Sequence, residues 1–219
     1  MKEFDAVAFD IDGTLYPNYR FYLRVAPLSL PRLPLLAAFR KTRQIMRSVP
    51  GDEDFRDAQA RIAAGLLKKD EALVKREIDE FIYKLWQPHF KGLKTYPHVR
   101  QTIENLRRNG YKTAALSDFP IGDKLVGMRL DGLWDVELSS ESVGQMKPAR
   151  KPFLRLADEL RCLPERVLFV GNSVACDIRG AKGAGMKAAL IRRGISFLGG
   201  GGADFVFRDY RQLERFVLG

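Results

Sequence analysis

From residue 112 onward, short apolar runs alternate with stretches of helical periodicity, and that alternation leaves few folds open. Strands separated by helices must cross over the sheet to pair, which gives parallel neighbours buried beneath helices on both faces. Strands are predicted over residues 4–9, 112–117, 135–138, 166–170, 187–191 and 204–207. Between them, residues 97–108 carry Val99, Ile103 and Leu106 on one helical face and stop at Asn109-Gly110, a good carboxyl-terminal cap. Residues 151–161 repeat the pattern with Phe153, Leu154, Ala157 and Leu160, and residues 176–184 and 210–217 supply further helices. The predicted fold class is α/β, a Rossmann-like parallel sheet sandwiched by helices.

About eighty residues separate the first strand from the helix at 97, with no convincing strand among them. Residues 59–67 and 71–86 read as helices on the 3.6-residue period. A structureless loop of that length is foreign to compact domains, so an all-helical insert over the sheet rim is predicted. The expected division is a catalytic core of residues 1–14 and 98–219 and a smaller helical cap domain of residues 15–97. At 219 residues and 46% hydrophobic, the chain can bury a sizeable core without staples. Cys162 and Cys176 provide no disulfide framework, which fits a reducing compartment. His89 and His98 match no metal spacing and read as structural. Four glycines, 199–202, read as a flexible connection between two strands.

The sequence Phe9-Asp10-Ile11-Asp12-Gly13-Thr14 sets two carboxylates where an apolar run gives way to a glycine turn. If residues 4–9 are a buried strand, both acids stand at its carboxyl end, where open α/β sheets hold ligands. Such a pair can divide labour, one carboxylate attacking phosphorus and binding a hard cation, the other moving protons. Further along, residues 114–118 end a predicted strand in Ser117 and Asp118, a hydroxyl and loop suited to a phosphoryl oxygen. Lys147, before Pro148, offers an ammonium for the same group. Another apolar run enters Gly171-Asn172-Ser173, with Asp177 close behind, so that Asn172 and Asp177 can present oxygens to Mg²⁺. Parallel strands share one carboxyl edge, and these distant side chains can therefore converge.

In that order and spacing the chain resembles the haloacid dehalogenase superfamily, and its phosphoglycolate-phosphatase-like members in particular. The four motifs stand here as Asp10-Ile11-Asp12-Gly13-Thr14, Ser117, Lys147, and Gly171-Asn172-Ser173 with Asp177, and the helical insert falls where such members carry a cap. The resemblance implies a Mg²⁺-dependent phosphomonoester hydrolase acting on a small phosphorylated metabolite through an aspartyl phosphate. Asp10 would be the nucleophile and Asp12 the acid and base. Ser117, Asp118 and Lys147 would bind phosphate, and Asp10, the Asp12 main chain, Asn172 and Asp177 would hold the metal. Asn172 departs from the family's usual Asp, which removes one negative charge from the ion's surroundings. Asp12 favours phosphate chemistry, because the resembling dehalogenases lack an acid two residues after the nucleophile.

Two alternatives stay open at this level. A phosphomutase of the same superfamily would return the phosphoryl group to a sugar rather than to water. A weakly active scaffold would instead use its basic cap to bind nucleic acid or an anionic membrane. The net charge is +10, and residues 15–97 hold 16 Lys and Arg against 9 Asp and Glu. Arg20, Arg24, Arg32, Arg40, Lys41, Arg43 and Arg47 interleave there with Phe21, Tyr22 and Phe39. This proline-broken, apolar stretch is expected to face either the site or a partner subunit, and homodimer formation is left open. No run reaches the length of a bilayer span, and the amino terminus lacks the apolar core of a secretory signal, so a cytoplasmic location is expected.

Overall fold

The computed structural model describes residues 2–48, 54–192 and 200–219. Six parallel strands form one sheet: β1 (Ala6–Phe9), β2 (Lys112–Ser117), β3 (Val136–Ser139), β4 (Val167–Gly171), β5 (Lys187–Ile191) and β6 (Phe205–Phe207), in the order β3-β2-β1-β4-β5-β6. Strand order therefore reverses beside β1, which pairs with β2 on one edge and β4 on the other. That reversal opens a crevice at the carboxyl ends, the ligand position of doubly wound sheets.

The strands are apolar because both faces are covered. Val7 and Phe9 pack with Leu168 and Val170 beneath one helical layer, whereas Ala6 and Ala8 pack with Val167 and Phe169 beneath the other.

Between β1 and β2 lie four α-helices, α1 (Asn18–Ser29), α2 (Leu33–Ser48), α3 (Phe55–Leu67) and α4 (Glu71–Ile78), followed by α5 (Val99–Arg108). The rest are α6 (Lys124–Gly127), α7 (Arg150–Leu160), α8 (Arg179–Gly183) and α9 (Tyr210–Leu218). Helices α5 and α9 cover the Val7 face, and α7 and α8 cover the Ala6 face. The inserted helices gather a core of their own from Leu35, Phe39, Ala63, Val74, Ile78 and Phe81.

Three local outcomes sharpen the expectation of a helical insert. The proline-rich stretch is almost wholly helical: Pro31 and Pro34 occupy first-turn positions, where a missing N–H costs nothing, and Pro27 sits in the last turn of α1. The helix predicted over 59–67 begins earlier, at Phe55, because the Asp54 side chain accepts from the N–H groups of Arg56 and Asp57. The one predicted over 71–86 passes at Asp79 into a π-helical turn ending at Lys84. Gly199 lies outside the described residues, and Gly200–Ala203 makes a turn into β6, with Ala203 N donating to Gly200 O at 3.0 Å. No helix among the described residues is long and apolar enough to cross a membrane.

Candidate active site

Residues from four strand ends meet at the crevice. Asp10 leaves β1 still tied to the sheet, its N–H donating to Val170 O at 2.9 Å, and its side chain is buried. Lys147 enters from the loop before α7, and its Nζ lies 2.6 Å from Asp10 Oδ1 and 2.8 Å from Asp177 Oδ1. The ammonium therefore joins two buried carboxylates that stand 167 positions apart in the chain's numbering only as loops after β1 and β4. The other oxygen of each acid is also held. Asp10 Oδ2 accepts from Thr14 Oγ1 at 2.6 Å, and Asp177 Oδ2 accepts from the N–H groups of Asn172 at 3.1 Å and Ser173 at 2.9 Å.

Asp177 reaches this position because Gly171 has no side chain. A β-carbon there would lie 2.3 Å from that of Asp177. The Ser173 hydroxyl accepts from Cys176 N at 3.2 Å and so caps the π-helical turn that carries Asp177.

Asp12 has separate partners. Lys124 Nζ contacts its carboxylate at 2.8 and 3.2 Å, Tyr16 Oη donates at 2.5 Å, and Ser117 Oγ donates at 3.1 Å. The electrostatics of the two acids diverge accordingly. Burial pushes the Asp10 carboxyl up to about 7 against the pull of Lys147, and the charges of Asp177 and Asp12 add to the rise. For Asp12, burial acts in the same sense but is outweighed by the charge of Lys124 and by the hydrogen bonds from Lys124, Tyr16 and Ser117, so its carboxyl lies below the usual range. Lys147 is held firmly protonated: burial opposes its charge, and Asp10, Asp177 and Asp118 more than offset that.

The predicted residues Asp10, Asp12, Ser117, Lys147 and Asp177 are thus brought together, with differences of detail. Ser117 bridges Asp12 and the Phe119 N–H, which donates to its oxygen at 3.0 Å. Asp118 offers a carboxylate, an acceptor only, and that group is taken up by Lys147 N at 3.0 Å and Arg47 Nη2 at 2.7 Å. Its side chain thereby seats the Lys147 backbone and is no phosphate donor. Asn172 is exposed and leans over the turn after Asp12, with Nδ2 only 2.1 Å from where a Gly13 β-carbon would stand.

Sequence reasoning did not find Lys124, one of 37 basic residues with no motif around it, nor the hydrogen-bonding parts of Thr14 and Tyr16. Arg43 and Arg47, two of the basic residues weighed for a nucleic-acid or membrane face, turn inward. Arg43 Nη1 meets Glu141 Oε1 at 2.5 Å and its Nη2 meets Asp118 O at 2.7 Å. Arg20 and Arg24 donate to main-chain carbonyls of Lys94, His89 and Lys91, and Phe21 stacks on Phe90 at 4.4 Å. Arg32, Arg40 and Lys41 remain exposed. One side of the segment faces the site, where α1 and α2 line a cavity of about 790 Å³ that ends at Asp12, Tyr16 and Lys124, while Leu23, Leu30 and Leu33 are exposed on the other.

Asp10 and Asp177 offer hard carboxylate oxygens, two buried acids that share Lys147. This donor chemistry suits Mg²⁺, which commonly takes one or two carboxylates and fills its shell with water and phosphate oxygens. Among the described residues no three His, Cys, Asp or Glu side chains cluster as a ready metal cage.

A family model described as haloacid dehalogenase-like hydrolase matches residues 4–185. A phosphoglycolate phosphatase of Aquifex aeolicus is 26% identical over 96% of this chain and 95% of its own. A glyceraldehyde 3-phosphate phosphatase of Methanopyrus kandleri is 36% identical, the match spanning 48% of this chain and 46% of that protein. In fold, the chain is similar to a dehalogenase solved with an intermediate complex, at a TM-score of 0.72 and 21% identity over 100% of this chain and 99% of that one. The chain belongs to the haloacid dehalogenase-like hydrolases.

Proposed function

We propose that this hydrolase is a Mg²⁺-dependent phosphatase of small phosphomonoesters that works through a phosphorylated Asp10. The observation that carries the reading is the pairing of two aspartates in opposite environments: Asp10 buried against Lys147, and Asp12 held beside the cavity by Lys124. An Asp10 oxygen would attack phosphorus as the ester P–O bond breaks, and Asp12, having taken a proton from the bound phosphate monoanion, would pass it to the departing alkoxide. Asp12, ionised again, would then take a proton from the water that attacks the aspartyl phosphate, releasing inorganic phosphate and restoring Asp10. Lys147 would neutralise charge on the phosphoryl oxygens during both transfers. Asp10, Asp177, Asn172 and the Asp12 main-chain carbonyl are the groups proposed to hold Mg²⁺. When bound, the ion supplies positive charge that keeps Asp10 ionised and offsets repulsion between carboxylate and phosphate.

The segment 15–97 is proposed as the cap, and 1–14 with 98–219 as the catalytic core. The cavity between them meets the core at Asp12, the acid that would handle the leaving oxygen. The two phosphatase-named relatives support an ester of phosphate as substrate.

A phosphomonoester screen with and without Mg²⁺, reading released phosphate, tests this. Turnover is expected only with the ion. Asp10→Asn is expected to abolish it, and Asp12→Asn to remove nearly all of it, with circular dichroism unchanged. Full activity in the Asp10 variant, or an isomerised sugar phosphate as product, would overturn the reading.

A further inference from the structure

The cavity beside Asp12 is large and greasy for a phosphatase of two- or three-carbon metabolites. Its volume of about 790 Å³ falls in the range, roughly 300–1,000 Å³, that takes a drug-sized molecule. This is the space left with the inserted helices docked on the core, since Arg43 reaches Glu141 and Arg47 reaches Asp118 across the same boundary. Its walls away from the acid are largely apolar, with Val25 of α1, Leu36 and Phe39 of α2, Ile82 and Trp86 beyond α4, and Phe119 of the core, and the polar Asn18, Gln44 and Gln87 stand among them. These apolar walls stabilise bound apolar area at about 25 cal/mol per Å².

The cations on the lining point the same way. Arg43 is committed to Glu141, Arg47 to Asp118 and Lys124 to Asp12, while Arg40 stands exposed at the rim. A leaving group with a carboxylate, such as glycolate, would find the inner cations already paired. Binding it deep in the cavity would require breaking one of those ion pairs, leaving only Arg40 at the rim to receive it, and a neutral apolar alcohol needs no such exchange.

We infer that this enzyme's preferred substrates are phosphomonoesters of primary alcohols bearing an aromatic or branched-alkyl body, seated against Leu36, Phe39 and Trp86 with the ester oxygen at Asp12. The inference rests on the phosphatase reading for its chemistry and on the cavity alone for its selectivity.

The test compares esters of similar leaving-group reactivity: 2-phenylethyl phosphate, 3-methylbutyl phosphate and ethyl phosphate, beside phosphoglycolate and glyceraldehyde 3-phosphate. The phenylethyl and methylbutyl esters are expected to exceed ethyl phosphate and phosphoglycolate in kcat/KM by about tenfold or more, the worth of one or two buried methylenes or a ring. Leu36→Gln is expected to pull the phenylethyl-to-ethyl ratio toward unity. Equal or better turnover of phosphoglycolate or glyceraldehyde 3-phosphate would overturn the inference. Calorimetric titration of the Asp10→Asn protein with 2-phenylethyl phosphate and with phosphoglycolate reads the cavity without turnover. Tighter binding of the phenylethyl ester supports the inference even if no ester is hydrolysed, an outcome that would sink only the phosphatase reading. Equal or weaker binding overturns it.

Discussion

Arg43 and Glu141 stand 98 residues apart in the chain, and their charged groups meet at 2.5 Å with each side chain 5% exposed. One belongs to α2 and the other to the turn after β3, so the contact ties the inserted helices to the sheet domain. Around it, Tyr83 Oη donates to the same Glu141 oxygen at 2.9 Å and Arg56 Nε lies 3.5 Å from the other. Charges this far from water are tolerated only while paired.

Removing one member should therefore cost far more than a surface ion pair. Arg43→Met leaves Glu141 without its closest cation and is expected to lower stability by about 3–5 kcal/mol, whereas Arg43→Met combined with Glu141→Leu recovers most of that loss. Urea denaturation of the two variants checks it. A single variant as stable as the parent would show that the pair contributes nothing.

Lys124 acts on Asp12 and not on Asp10. It lowers the proton affinity of the one acid expected to accept a proton from water. Lys124→Met removes that charge, so the Asp12 carboxyl rises and is less ionised at any given pH. The acid limb of the pH–rate profile is expected to move upward, and kcat near neutrality to fall roughly tenfold or more, within the range of general-base effects. A profile in the parent's position would separate Lys124 from the chemistry.

How much of this was legible in the sequence follows from which interactions are periodic and which are not. The strands at 112–117 and 187–191 were read to the residue, because burial of both faces under two helical layers leaves a continuous apolar run that opens on an exposed lysine. Asp10, Asp12, Ser117, Lys147 and Asp177 stood out for a related reason: each follows a strand or precedes a helix at the shared rim. Lys124, Glu141 and Arg43 did not. Their partners lie 98 or 112 positions away, and nothing local distinguishes a lysine that folds inward onto an aspartate from one that meets solvent. Pro31 and Pro34 hid the start of α2 for the opposite reason, because a residue that breaks a helix interior is also favoured in a first turn.

At the far end of the chain, Asp209 caps α9: its Oδ1 accepts from Arg211 N at 2.9 Å, while Gln212 Oε1 accepts from Asp209 N at 3.3 Å. The helix matters to the site because Tyr210 Oη donates to Thr14 O at 2.7 Å, and Thr14 in turn donates to Asp10. The hydrogen bond from the Arg211 side chain pulls the Asp209 carboxyl down to about 2, against a small opposing effect of burial. A depressed carboxylate stabilises the folded state above its unfolded value of 3.8 and loses that contribution as pH falls toward about 2. Asp209→Ala is expected to cost about 0.5–2 kcal/mol at neutral pH. The gap between parent and variant should close on acidification between those two values, as thermal unfolding at a series of pH values would show. A gap that stays constant would mean that the carboxylate charge plays no part in the cap.

Gly171 supports Asp177 by leaving room for it, and that arrangement can be broken without touching any charged group. A β-carbon at this position would lie 2.3 Å from Asp177 Cβ, 2.5 Å from its Cγ and 2.6 Å from Oδ2, distances that force the side chain to move. Gly171→Ala is therefore expected to shift Asp177 away from Lys147 and from the N–H groups of Asn172 and Ser173. Overpacking of this kind costs about 1–3 kcal/mol, readable in thermal unfolding with no cation present. If Asp177 helps to hold Mg²⁺, the ion concentration for half-maximal turnover should rise as well, by roughly tenfold or more, since each tenfold change corresponds to only about 1.4 kcal/mol of binding. A variant that melts early and still saturates with Mg²⁺ like the parent would separate the packing role of Gly171 from any role of Asp177 in holding the ion.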